Sequence, residues 1–178
     1  AASDDSTDAG APGLDNLTLP AGWSVVFRNG GSTITNTGPI AAGGSVLDLA
    51  SGYGRHARFL EDSGWRVVAV DRDAQALAGL AGRAGIRALQ ADIENGDWPC
   101  GEQRFAGIVV VNYLHRPLFP RLVDVLDEGG VLIYETFMSG NERFGRPSNP
   151  EFLLRPDELL DVFGQQLRVV AFEQGEGA

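Results

Sequence analysis

Six short apolar runs, Val46–Leu49, Val67–Val70, Ile86–Leu89, Ile108–Val111, Val131–Tyr134 and Leu167–Phe172, alternate with segments of helical period. Runs this short that are apolar throughout, instead of at every second residue, suit strands buried on both faces. Regular alternation of such strands with helices builds βαβ units, and these give a parallel sheet covered by helices on both sides. The helix signals fit the gaps. Arg55–Asp62 carries Ala57, Phe59 and Leu60 and ends near Gly64. Asp73 is a good N-cap for a helix through Leu77, Leu80, Ala81 and Ala84 that stops at Gly85. A third helix is predicted from Pro117 to Asp127, stopped by Gly129-Gly130, and a fourth from Pro156, with Asp157 and Glu158 at the positive end of its dipole. The fold class expected is α/β, a doubly wound and mostly parallel sheet.

The alternation begins only after Gly43-Gly44. Residues 1–22 hold four aspartates and no basic residue, the composition of a solvated tail. Trp23–Phe27 and Ser32–Thr37 read as two strands around an Asn29-Gly30-Gly31 turn. The expected organisation is therefore an acidic tail and short β extension over 1–44, followed by one ligand-binding domain over 45–178.

Composition removes several function classes. With 14 arginines, no lysine and 24 acidic residues, the net charge is −10, which repels nucleic-acid backbones and anionic lipid. The absence of lysine side chains rules out Schiff-base catalysis by this chain. The one cysteine, Cys100, permits no intrachain disulfide and no thiolate cluster, and two histidines give little for a metal site. No apolar run reaches the roughly 20 residues of a membrane span, and the first residues are polar. A cytoplasmic chain without nucleic-acid or membrane partners is expected.

The chemistry concentrates in Val46-Leu47-Asp48-Leu49-Ala50-Ser51-Gly52-Tyr53-Gly54-Arg55-His56-Ala57, a strand running through glycines into a helix. Small residues let a ligand approach the backbone there, and the helix start favours negative charge. Three readings fit: a tight turn without a ligand, a dinucleotide site through Gly52-x-Gly54-x-x-Ala57, or a nucleoside carrying an ammonium group. Asp48 separates the last two, since an anion beside a pyrophosphate is unfavourable whereas an ammonium group suits it. Asp71 then meets a ribose and Asp92 an adenine amine, so three acids stand at the ends of successive strands, where α/β folds bind ligands.

These residues carry a family resemblance. The glycine segment resembles motif I of the class I S-adenosylmethionine-dependent methyltransferases, Val68-Ala69-Val70-Asp71-Arg72-Asp73 the ribose-binding motif, and Gln90-Ala91-Asp92-Ile93 the adenine-binding one. Val111–Phe119, Tyr134-Glu135-Thr136-Phe137, Gly140–Gly145 and Leu153-Leu154-Arg155-Pro156 resemble small bacterial members of the tellurite-resistance-like group. The resemblance spans about Gly44 to Phe172. It implies a Rossmann-like fold and methyl transfer from S-adenosylmethionine to a small acceptor. It also implies that Asp48, Ala50, Gly52 and Gly54 line the methionine end of the cofactor, Asp71 and Arg72 the ribose, and Asp92 and Ile93 the adenine. Asn112 then lies near the transferred methyl. Ala50 replaces the family's first glycine, and Tyr53 replaces a small residue in a place where it would crowd the cofactor. The family's N-terminal lid helices have no counterpart in 1–44. Its last, antiparallel strand is either missing or supplied by the N-terminal runs. The alternatives are an NAD-binding oxidoreductase and a catalytically silent α/β module.

For catalysis, His115 is the candidate base because its ordinary pKa of about 6.5 suits neutral pH, against a role capping the next helix. Tyr113 either orients the acceptor or packs on the sheet. His56 is structural or cofactor-adjacent. Arg143, Arg146 and Arg155 in the long segment 135–155, with Arg116 nearby, either orient an anionic acceptor or pair with Glu135, Glu142 and Glu151.

Overall fold

In the computed structural model the described residues are 25–28 and 44–175. Strands β1 (Val25–Arg28), β2 (Ser45–Leu49), β3 (Arg66–Asp71), β4 (Ile86–Gln90), β5 (Phe105–Val111), β6 (Leu126–Glu135) and β7 (Arg168–Phe172) form one sheet. Its order is β4-β3-β2-β5-β6-β1-β7. Pairings among β2 to β6 are all parallel, and β1 lies antiparallel to both neighbours. Each of the six apolar runs is a strand of this sheet. β5 is buried along its whole length, as its unbroken apolar run predicts, whereas β4 and β7 are largely exposed.

Successive side chains alternate between two cores. On one face Leu47, Leu49, Ile108, Val110, Leu132 and Tyr134 pack against helices α3 (Phe119–Asp124) and α4 (Glu158–Phe163). Phe119, Tyr134 and Phe163 meet there with ring centroids 5.3 to 6.2 Å apart. On the other face Val46, Val67, Ala69, Val109 and Ile133 pack against α1 (Arg55–Asp62) and α2 (Ala74–Ala78) through Ala57, Leu60, Leu77 and Leu80. Fully burying a side chain such as Leu60 contributes about 2 kcal/mol.

Three helices differ from the sequence expectation. α2 starts at Asp73, whose side chain accepts from the Gln75 and Ala76 N–H groups, but ends at Ala78, because Gly79 and a left-handed Gly82 turn the chain. The third helix is split into a 3-10 turn over Arg116–Leu118 and α3, which ends at Asp124. Gly129-Gly130 does not stop it; the pair lies inside β6, where Gly129 has φ +76° and the register with β5 slips. A Cβ at Gly130 would meet the Asp127 carbonyl oxygen at 2.9 Å, so the tight bend requires glycine. The fourth helix begins at Glu158, after a left-handed Asp157, and Pro156 precedes its first turn.

The N-terminal run Val25–Arg28 is inserted between β6 and β7, so the sheet's antiparallel strand comes from the N-terminal side of the glycine segment. Gly31, Ser32–Thr37 and the acidic tail lie outside the described residues. Among the described residues no helix is long and apolar enough to cross a membrane.

Candidate functional site

The strand order reverses between β2 and β5, and at such a switch point the carboxyl ends of neighbouring strands diverge and leave a crevice. The residues immediately after these two strands, Ala50 and Asn112, both adopt left-handed backbone, each with φ 55°. Left-handed conformations are costly for residues bearing a Cβ and concentrate at functional sites. Here they turn the chain away from the sheet edge. A cleft of about 430 Å³ opens there, lined by Ala50, Asp71, Arg72, Asp92, Ile93, Asn112 and Tyr113 among others. Seven of the residues singled out by sequence therefore converge on one cleft.

The glycine turn is held by two carboxylates that act differently. Asp71 sits at the cleft, where Oδ2 accepts the Gly52 N–H at 2.7 Å and Oδ1 accepts the Asp73 N–H at 2.9 Å. Asp48 is only 2% exposed, accepts the Ala57 N–H at 2.9 Å, and is not among the residues lining the cleft. Burial pushes its carboxyl up to about 7; the Ala57 hydrogen bond opposes the rise, and the nearby Asp71 charge adds to it. Asp48 thus fastens the first turn of α1 to β2. Gly54 has φ +71°, and a Cβ there would meet Leu80 Cδ2 at 2.4 Å, so a larger residue is strained and has to displace the Leu80 side chain just beyond α2. Tyr53 is 71% exposed and lines neither cleft.

Asp92 closes the turn after β4 by accepting from the Glu94 and Asn95 backbone N–H groups. An Asn95 side-chain hydrogen bond, joined by these, holds its carboxyl below the ordinary range. Tyr113 donates its hydroxyl to Glu94 Oε1 at 3.2 Å, and burial with the Glu94 charge raises its pKa. Its carbonyl oxygen accepts the Tyr134 hydroxyl at 3.0 Å, which ties the post-β5 turn to the aromatic core. The Ser51 hydroxyl oxygen, in the glycine turn, is buried without a partner.

A family model of the methyltransferase domain matches residues 46–130, the span from β2 into β6 that supplies most of this cleft. That match covers just under half of the chain. No curated protein matches it. Among solved structures, the chain is similar to DhpI in its complex with SAM and HEP, at 21% identity over 68% of this chain and 69% of that one, with a TM-score of 0.52. That likeness supports the Rossmann-like fold. It is also similar to an S-adenosylmethionine-dependent methyltransferase from Mesorhizobium loti (23% identity, 54% and 48% covered, TM-score 0.47). A TehB-like SAM-dependent methyltransferase from Corynebacterium glutamicum matches at 22% identity, with 49% and 52% covered and a TM-score of 0.43. The chain spans about half the length of the first solved structures it matches.

Other predicted residues lie elsewhere in the chain. His115 precedes the 3-10 turn, makes no side-chain cap, and lines neither cleft. His56, in the first turn of α1, is pushed down to about 4 by burial and by the neighbouring Arg55 charge. Arg116, Arg143 and Arg155 are engaged within the protein. Arg116 donates to both carboxylate oxygens of Glu158, at 2.6 and 3.0 Å, and to the Glu151 and Leu153 carbonyls. Arg155 also pairs with Glu158. Burial alone would raise the Glu158 carboxyl, but the hydrogen bonds from Arg116 and the Arg155 N–H outweigh it and hold it at about 2. The Arg143 guanidinium lies over the Phe144 ring and bonds the Gly140 carbonyl. Cys100 is buried, and burial raises its thiol. Sequence reasoning missed Glu94, Phe152, Thr136 and Phe137 as cleft residues. Thr136 and Phe137 lie in the quoted motif Tyr134-Glu135-Thr136-Phe137 and Phe152 in the long 135–155 segment, whereas Glu94 had no signal.

Proposed function

We propose that the chain binds S-adenosylmethionine in the smaller cleft and transfers its methyl group to a small-molecule acceptor, leaving S-adenosylhomocysteine. The observation that carries this reading is the coincidence of the methyltransferase-domain match with the span that builds the cleft. The residues fit the cofactor. Each Asp71 oxygen accepts one backbone N–H and keeps a lone pair for a ribose hydroxyl, and the Ser51 hydroxyl has a hydrogen-bonding capacity the protein leaves unmet. Asp92 and Ile93 lie together on the wall suited to adenine, with Arg72 beside the ribose position. Asn112 and Tyr113 stand where cofactor and acceptor would meet, so we assign positioning of the reacting groups to them and no base to His115.

When bound, the cofactor supplies an activated methyl group, and the protein's task is alignment and exclusion of water. Asp48 serves as a positioning residue through the turn it fastens, together with Gly52 and Gly54. Residues 45–178 form the cofactor-binding domain in this reading, and 1–44 an extension that contributes one strand. A cytoplasmic setting suits a chain with a single buried thiol.

Calorimetric titration of the purified chain with S-adenosylhomocysteine, with NAD as the control, tests the reading. Binding of the first and not the second is expected. A folded chain that binds neither, or that binds NAD alone, overturns it.

A further inference from the structure

A second cleft of about 670 Å³ adjoins the first and shares Asn112, Thr136 and Phe137 with it. Its volume is that of a site for a small organic ligand. The walls combine an apolar surface, from Phe137, Met138, Leu154, Leu159 and Phe172, with polar side chains, and the charged groups among these decide the sign of what binds. Arg155 and Glu158 face the cleft but are paired with each other, and Arg116 further neutralises Glu158. Glu173 is exposed at the outer edge.

Glu135 differs from all of these. It ends β6, directly beside the shared wall, and its carbonyl accepts the Asn112 N–H at 2.9 Å. Its carboxylate Oε2 is buried with no hydrogen-bond partner. Burial raises this carboxyl, and the Arg55 charge only partly opposes the rise. A buried acceptor left unsatisfied is costly, and such groups recur where a ligand supplies the missing donor.

Building on the methyltransferase reading, we propose that this second cleft holds the methyl acceptor, and that the acceptor is an amine on an apolar body whose N–H bonds Glu135. In the transfer, the lone pair of the neutral amine forms the new N–C bond as the methyl–sulfur bond breaks and its electron pair stays on sulfur. The surplus proton of the methylated nitrogen passes to the Glu135 carboxylate and on to solvent. An anionic acceptor meets the same carboxylate as a repulsive charge, and Arg116 and Arg155 are already paired with Glu158 while Arg143 bonds the 140–144 turn.

The test uses the full chain saturated with S-adenosylhomocysteine and three matched probes: 2-phenylethylamine, 2-phenylethanol and 3-phenylpropionate, titrated by NMR. The amine is expected to bind at least about tenfold more tightly than the other two. Glu135→Gln should abolish that preference, and Glu135→Asp should restore part of it. Equal or tighter binding of the carboxylate, or no binding of the amine, overturns the proposal even if the variants fail to fold, because the probe comparison is made on the unaltered chain. Failure of S-adenosylhomocysteine to bind in the same sample overturns the methyltransferase reading separately, and the amine preference is then read on the ligand-free chain.

Discussion

Asp48 and Ala50 sit two residues apart on the same strand end, and each carries a cost that its surroundings impose. The Asp48 carboxyl rises to about 7 in the folded chain from an ordinary 3.8, so the folded state holds its proton where the unfolded state has released it. Its contribution to stability is therefore present below pH 3.8 and is lost as pH rises through 7. Relative to Asp48→Asn, which keeps an oxygen for the Ala57 N–H, the natural chain should lose about 3 kcal/mol between pH 5 and 8. Urea unfolding of both proteins at the two pH values measures this. Ala50 holds φ 55°, a conformation glycine adopts without penalty. Ala50→Gly should raise stability by roughly 0.5–1 kcal/mol after the added flexibility of the unfolded chain is counted. Gly54→Ala should do the reverse, by about 1–3 kcal/mol, since its Cβ meets Leu80. Chemical denaturation of the two variants gives opposite shifts in midpoint.

Between elements, the Arg116–Glu158 pair joins the turn after β5 to the start of α4, and Arg116 also bonds the carbonyls of Glu151 and Leu153. Four hydrogen bonds from one guanidinium thus hold the outer segment against the sheet. Glu158 is 2% exposed, and after loss of Arg116 only Arg155 still bonds it. Arg116→Ala should cost about 1.5–3 kcal/mol near neutral pH. The loss should shrink on acidification, because a carboxylate held at about 2 stabilises the fold above the ordinary 4.5 and ceases to do so as pH falls through 2. Thermal melts at pH 7 and pH 3 check both the size and the direction. The same variant should weaken binding in the larger cleft, whose wall includes Arg155 and Glu158.

At the scale of the whole molecule, β7 is joined to the sheet through β1 alone, and the residues after β7 line the larger cleft. A four-residue strand far from the cofactor motifs therefore supports one wall of the proposed acceptor site. Val26→Pro, which removes a donor from a strand paired on both sides, should cost about 1–3 kcal/mol and release β7 first. Hydrogen exchange should show protection lost at Arg168–Phe172 before it is lost in β5. Retained protection there would mean that β7 is held by something other than β1.

The sequence by itself determined the strands, the βαβ alternation, the glycine turn and the convergence of Asp71, Asp92 and Asn112, because burial on both faces and turn chemistry are written in local residue order. The bounds of α1 and, through its Asp73 cap, the start of α2 were legible; Gly129-Gly130 resembled a helix stop but serves a bend inside a strand. The committed arginines, the sealed Asp48, the unpartnered oxygen of Glu135 and the insertion of β1 beside β7 were decided by tertiary structure alone. Each depends on which distant group lies within hydrogen-bond reach, and residue types in one dimension do not encode that distance.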